Sequence, residues 1–209
     1  SWNEVGRISP VAGANDAYVE ELLGAVDTDA IAEANLTVAI DPGHGAGGLT
    51  SPRLFRELGC EVLTINDDPD GHFPGRNPEP VEAHLGDLAD LVARSEADLG
   101  IAHDGDADRA IFVDETGAFV EGDAALAALA AETLQAGDAI VSAISTSQRL
   151  VDVAEAAGAE IHLTPIGSTH LVTKIQSLQD TGTAVPIAGE GNGGIIFPAY
   201  RTIRDGAYA

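Results

Sequence analysis

The stretch LTVAIDPGHGAGGLTSPRLFRELGCEVLTIN, Leu36 to Asn66, decides the fold. LTVAID (36–41) is apolar and β-branched, the composition of a buried strand, and it stops at Pro42. GHGAGG (43–48) reads as a loop. SPRLFRELG (51–59) reads as a short helix that Gly59 terminates, and CEVLTIN (60–66) as a second strand. Strand, helix and strand in this order predict an α/β domain with a largely parallel sheet.

The same alternation extends in both directions. In DAYVEELLGAV (16–26), Tyr18, Val19, Leu22, Leu23 and Val26 share one helical face. Segment 67–82 holds four prolines and too much turn chemistry for regular structure. HLGDLADLVARSEA (84–97) returns to helix, DLGIAH (98–103) to strand and AIFVDE (110–115) to strand again. Near Glu121 and Gly122 the pattern restarts. GDAALAALAAETLQ (122–135), SQRLVDVAEAAG (147–158) and HLVTKIQSLQ (170–179) read as helices. DAIVSAIS (138–145) and AEIHLTPIG (159–167) read as strands, the second with a turn. AVPIAGEGNGGIIFP (184–198) is a glycine-rich loop between two short apolar runs. We therefore expect two similar three-layer α/β domains, 1–121 and 122–209, each a mixed, largely parallel sheet flanked by helices.

Charge narrows the partners. The chain carries 34 Asp and Glu against 10 Lys and Arg, a formal charge of −24. Binding to a nucleic-acid backbone requires clustered cations, and an anionic membrane surface repels such a chain. Nine of the ten basic residues are arginine, with Lys174 the single lysine. Acid excess with little lysine suits concentrated salt, where self-repulsion is screened, so a salt-adapted (halophilic) cytoplasm is the expectation. A lone cysteine, Cys60, fits a reducing compartment. No apolar run approaches the length of a membrane span.

IAHDGDADRAIFVDE (101–115) carries the chemistry. Asp104, Asp106 and Asp108 alternate with Gly105 and Ala107 and run into Arg109. In so acidic a chain, such a triplet can be a solvated face. Its strand flanks place it instead at a strand end, where open α/β sheets bind ligands. D-x-D-x-D with Glu115 twelfth matches much of a calcium loop, but Arg109 stands where that loop needs glycine, and strands flank it. A magnesium site fits better. Residues two apart in an extended loop point the same way, so three carboxylates can converge on one hard cation. Arg109 adds a bidentate partner for phosphate, and the combination reads as phosphoryl chemistry.

Two glycine loops complete the inventory. Gly43 to Gly48 formally satisfies G-x-G-x-x-G, with Asp67 and Asp68 about 20 residues on. It opens the alternative of a dinucleotide-dependent oxidoreductase, against a purely structural turn. In GEGNGG (189–194), Glu190 and Asn192 stand in an otherwise glycine-lined loop, which is either an ordinary glycine hairpin or a site where a carboxylate and an amide take paired sugar hydroxyls. His103 beside the acidic loop reads first as a plain strand-end residue, with a supporting role for the loop as the alternative.

DGDADR (104–109) and GEGNGG (189–194) together resemble the α-D-phosphohexomutases, the phosphomannomutase, phosphoglucomutase and phosphoglucosamine mutase family. DPGHGAGG, RELGCEV, PDGHFPGRNPEP, TPIG (164–167) and IRDGA (203–207) support the resemblance, and their order is similar to that family's second and third domains. GEGNGG followed by RDGA is most similar to the archaeal branch. The resemblance implies that Asp104, Asp106 and Asp108 hold Mg2+, which in the family an enzyme phosphoserine also binds. It implies that Arg109 contacts the phosphoryl region or the substrate, and that Gly189, Glu190 and Asn192 bind the sugar. A phosphosugar would be interconverted between its 1- and 6-phosphates through a bisphosphorylated sugar. No S-x-N-P serine loop or phosphate-binding fourth domain is found here. The expectation is a central piece of a longer enzyme, truncated in its third domain, with domains 1 and 4 as its missing partners and little activity alone.

Overall fold

The computed structural model describes Gly6 and residues 9–209 of the chain. Two helices, α1 (Ala14–Leu23) and α2 (Thr28–Glu33), lead into β1 (Thr37–Asp41). There follow α3 (Ser51–Glu57), β2 (Glu61–Thr64), α4 (Gly86–Ser95), β3 (Leu99–His103), β4 (Ala110–Val113) and β5 (Phe119–Val120). The second set is α5 (Gly122–Thr133), β6 (Ala139–Ala143), α6 (Gln148–Ala157), β7 (Glu160–Thr164), α7 (Ser168–Asp180), β8 (Ala188–Glu190) and β9 (Gly194–Ile196).

The first sheet has the order β2-β1-β3-β4-β5. β1 runs parallel to β2 and β3, and β4 and β5 close the edge antiparallel. The second sheet has the order β7-β6-β8-β9, parallel except for β9. Both are mixed sheets flanked by helices, as expected; two of the four strand pairings are parallel in the first and two of the three in the second.

Alternation along each central strand produces the layers. Val38 and Ile40 of β1 pack on Val19 and Leu22 of α1 and Leu54 of α3. Ala39 points the other way, onto Leu85 and onto Leu88 and Val92 of α4. In the second sheet Ile140 of β6 meets Leu126 of α5 and Leu150 of α6, while Val141 meets Leu171 and Ile175 of α7. Each fully buried leucine or isoleucine contributes about 1.5–3 kcal/mol. Helix α4 approaches its sheet closely because β3 carries Gly100, where a Cβ would lie 2.8 Å from Val92 Cγ2.

The differences from expectation are local. α1 ends at Gly24, short of Val26, although Val26 still packs on the core. α4 is preceded by a separate 3-10 turn, Glu82–His84. The glycine loop at 189–194 and the short apolar runs beside it form a β8–β9 hairpin, one of the two readings that its glycines allow, with Glu190 opposite Gly194. Its turn requires Gly193 at φ +88°, a conformation in which side chains are strained.

The second unit is fastened to the first through its C-terminal segment. Tyr200, Ala207 and Tyr208 pack on the α1 face, and Tyr200 stacks on Tyr208 at 4.1 Å between centroids. The Tyr18 hydroxyl donates to Asp205 Oδ1 at 2.7 Å, and Arg201 pairs with Glu21. Among the described residues no helix is long and apolar enough to cross a membrane.

Candidate active site

β1 and β3 end side by side, and their last residues, Asp41 and His103, set the floor of the site. The acidic turn follows immediately. Ala107 N–H donates back to Asp104 O at 3.2 Å, with Ala107 at φ +59°. That left-handed conformation costs a non-glycine residue about 1–2 kcal/mol. The reversal gathers one carboxylate oxygen from each of Asp104, Asp106 and Asp108 to within 4.8 Å of one another. Asp104 is buried, Asp106 exposed and Asp108 half-buried.

Asp108 Oδ1 is buried without a hydrogen-bond partner. Burial, aided by the neighbouring Asp104 and Asp106 charges and opposed by Arg204, raises the Asp108 pKa above its ordinary value. Three converging carboxylates, one with an orphaned buried oxygen, are a donor set suited to a hard divalent cation. The residues present therefore fit such an ion. Glu115, the twelfth residue of the calcium pattern, lies beyond β4 and outside this cluster.

Arg109 is fixed above the turn. Its Nε donates to Asp104 Oδ2 at 2.6 Å, and Nη1 and Nη2 fork onto Glu79 at 2.5 and 2.9 Å. Hydrogen bonding to Arg109 holds the Glu79 carboxyl below its ordinary pKa, and Glu79 with Asp104 raises that of Arg109. Beneath the turn, Arg76 donates to Asp41 Oδ2 at 2.6 Å and to the carbonyls of Asp41, His103 and Asn77. His103 is fully buried and sits 2.9 Å from Arg109 O through Nδ1; burial lowers its pKa and keeps it neutral.

The Gly43–Gly48 turn packs against this floor. Ala46 N–H donates to Gly105 O at 3.0 Å, and a Cβ on Gly45 would lie 2.6 Å from that oxygen. A Cβ on Gly48 would meet Asp67 O at 2.2 Å. These glycines accommodate the chain's own backbone.

The β8–β9 hairpin reaches the same place from the second sheet. Ala110 N–H donates to Gly193 O at 3.1 Å. Gly189 is buried and its carbonyl accepts the Ser142 hydroxyl at 2.8 Å. Glu190 is also buried, and its Oε1 accepts Gly167 N–H at 2.9 Å. Asn192 is exposed at the tip, its Oδ1 accepting Gly194 N–H at 3.0 Å. All the expected site residues thus occupy two loops that touch, although Glu190 is inward and Asn192 outward.

Arg204 joins the two loops and was not singled out from sequence. Nη2 pairs with Asp108 Oδ2, and Nη1 lies 3.4 Å from Glu190 Oε2. Glu79 and Arg76 were likewise missed as individuals, although both fall in the proline-rich 67–82 segment. A signal for Arg204 lies in IRDGA: Gly206 sits where a Cβ would come 2.4 Å from Arg109 O, so this segment must approach the acidic turn. A cavity of about 310 Å³ opens beside Asp108 and Arg204, bounded by Ser168, Thr169 and Val172 of α7.

Comparison with known proteins agrees with this layout. The family model described as phosphoglucomutase/phosphomannomutase, alpha/beta/alpha domain II, matches residues 16–117, and that for domain III matches 121–209. A phosphoglucomutase/phosphomannomutase of Thermococcus kodakarensis is 43% identical over 99% of this chain and 44% of its own length. A Methanosarcina acetivorans protein named "Probable phosphoglucosamine mutase" is 38% identical over 100% of this chain and 46% of its own. The crystal structure of a phosphoglucomutase/phosphomannomutase family protein from Burkholderia thailandensis superposes with a TM-score of 0.79 at 30% identity, covering 93% of this chain and 41% of that one. The chain spans less than half the length of these relatives. With two adjoining family domains matched across nearly all its length and the fold reproduced, the chain belongs to the α-D-phosphohexomutase family.

Proposed function

We propose that the chain is the central portion of a divalent-cation-dependent phosphohexomutase that interconverts hexose 1-phosphates and hexose 6-phosphates. Domain 2 would comprise residues 1–121 and domain 3 residues 122–209, the latter continuing beyond this chain. The observation that carries the reading is the convergence of the Asp104, Asp106 and Asp108 carboxylates one backbone hydrogen bond away from the Glu190 hairpin. Asp104, Asp106 and Asp108 would hold the cation, Mg2+ by donor type. Bound there, it would neutralise charge on the transferring phosphoryl oxygens.

The chain's own residues position and neutralise. Arg109, clamped by Asp104 and Glu79, presents fixed positive charge beside the carboxylates, where phosphoryl oxygens gather. Asn192 at the exposed hairpin tip offers its amide to ring hydroxyls. Glu190 binds the sugar through a lone pair that its present partners, Gly167 on Oε1 and Arg204 near Oε2, leave open, and Gly189 keeps the strand close. The phosphorylated serine that gives and takes the phosphoryl group, through a bisphosphorylated sugar, belongs to another part of the longer enzyme. The working compartment is a salt-rich cytoplasm.

The test is phosphoglucomutase, phosphomannomutase and phosphoglucosamine mutase assays of the full-length protein with Mg2+. Asp106→Ala, at the exposed ligand, should lower kcat by about 100-fold or more with any substrate accepted. Unchanged turnover in Asp106→Ala would remove the acidic turn from the reaction.

A further inference from the structure

Among the described residues, Arg204 is the side chain that pairs with a carboxylate on each of the two site loops. Its position is determined by neighbours on both sides. Gly206 N–H donates to Ala107 O at 3.1 Å, and Asp205 Oδ1 accepts Tyr18, Ala207 and Tyr208. The backbone is therefore tied down while the guanidinium borders a cavity of about 310 Å³. Its two pairings are unequal. Nη2 contacts Asp108 closely, whereas the approach of Nη1 to Glu190 Oε2 at 3.4 Å is loose.

Three carboxylates this close repel one another unless positive charge is supplied. Arg109 is already committed, with Nε on Asp104 and both terminal nitrogens on Glu79, and its Nε is 3.8 Å from Asp108 Oδ1. The charge closest to Asp108 is therefore that of Arg204. A divalent cation in the acidic turn would compete for that same carboxylate.

We propose that Arg204 is an internal counter-cation that exchanges partners. It neutralises Asp108 while the turn is free of a divalent cation, and it moves fully onto Glu190 when a cation occupies the turn. The inference rests on the cation role proposed above for Asp104, Asp106 and Asp108. It goes further in linking that role to the hairpin of the other sheet. Glu190 is held on its far oxygen by Gly167, so its Oε2 receives the arriving guanidinium without moving the hairpin. Cation binding and the state of the Glu190 hairpin are then thermodynamically coupled, and the coupling is reciprocal.

The exchange predicts effects of opposite sign at the two partners. Calorimetric titration of the full-length protein with Mg2+ should show that Arg204→Gln tightens cation binding about fivefold, the value of one lost competing ion pair. Glu190→Gln should weaken it about threefold, because the displaced arginine loses its destination. In the Arg204→Gln background, Glu190→Gln should change cation affinity little, since the coupling is gone. As a measurement free of substitutions, Mg2+ should slow hydrogen exchange across Gly189–Ile196 in the unaltered protein. Cation binding that is unchanged or weakened in a folded Arg204→Gln variant overturns the exchange, as does unaltered hairpin exchange on Mg2+ addition. Absence of any Asp106-dependent cation binding overturns both the exchange and the cation reading beneath it.

Discussion

Arg76 tests how the strand ends hold the acidic turn, and we predict that Arg76→Met destabilises the protein by about 3 kcal/mol. The side chain is buried against an equally buried Asp41, with Nε 2.6 Å from Asp41 Oδ2. Nη2 donates to Asp41 O at 3.0 Å and to His103 O at 2.7 Å, and Nη1 to Asn77 O at 3.0 Å. Methionine fills much of the volume but leaves a buried carboxylate without counter-charge, which costs about 3–5 kcal/mol. The lower end applies because Asp41 Oδ1 keeps two donors, Gly43 N–H at 2.8 Å and Asn66 Nδ2 at 3.1 Å.

Urea unfolding followed by circular dichroism measures this directly. With a slope of about 2 kcal/mol/M, the midpoint should fall by about 1.5 M at constant slope. Adding Asp41→Asn should recover part of the loss, because the uncompensated charge disappears. Cation affinity should fall as well, since His103 O anchors the residue immediately before Asp104. A loss below about 1 kcal/mol, or a double variant no more stable than the single one, would refute the account of Asp41 as a buried charge dependent on Arg76.

Two further outcomes follow from the charges. Burial and the Asp205 carboxylate raise the Tyr18 pKa above its ordinary 10.0. Stability from that group is therefore present below pH 10 and is lost as pH rises beyond it. Thermal melts at pH 9 and 11 should show a smaller alkaline loss for Tyr18→Phe, which at pH 7 should be less stable by about 1–2 kcal/mol. An equal alkaline slope in both proteins counts against the Tyr18–Asp205 bond. With 34 acids against 10 basic residues, the melting temperature should rise as KCl increases from 0.1 to 2 M, where the screening length falls from about 10 Å to under 3 Å. Full stability in dilute buffer would contradict the salt-adapted reading.

The fold was legible where local pattern and burial agree. The two strands and the helix of Leu36 to Asn66 could be located because an apolar β-branched run, a proline stop and a terminating glycine each have one structural meaning, whereas the 3-10 turn Ala46–Leu49 inside the expected glycine loop was missed. The acidic turn was legible because its spacing, and not its composition, matched a geometry. α2 escaped notice because six residues carry too little period; its start depends on Asp27 accepting Ala30 N–H at 3.0 Å. The same holds for the two-residue β5. Arg204, Glu79 and Arg76 escaped for another reason: their partners lie 96, 30 and 35 residues away, and no periodicity encodes a contact of that range. His103, read first as a plain strand-end residue, does end β3 and also lies 2.9 Å through Nδ1 from the Arg109 carbonyl.

The acid excess that obscures individual aspartates makes the arginines informative. With nine arginines in the chain, most could be spent on exposed pairs, and some are: Arg53 and Arg149 have side chains 43% and 58% exposed. Such pairs are worth little and are screened further in concentrated salt. Arg76, Arg109 and Arg204 differ, at 5%, 16% and 20% exposure, and each joins a carboxylate at the strand ends to a second element. Salt that weakens the surface pairs leaves the buried Arg76–Asp41 pair nearly intact and the partly buried Arg204–Asp108 pair less affected, whereas the Arg109–Glu79 contact, with Glu79 at 50% exposure, is screened more. The negative charge of the site is thus offset in part internally, by residues whose positions depend on the fold. A cation that enters the acidic turn must then compete with arginines already in place, which is the condition under which cation binding can reach the neighbouring β8–β9 hairpin at all.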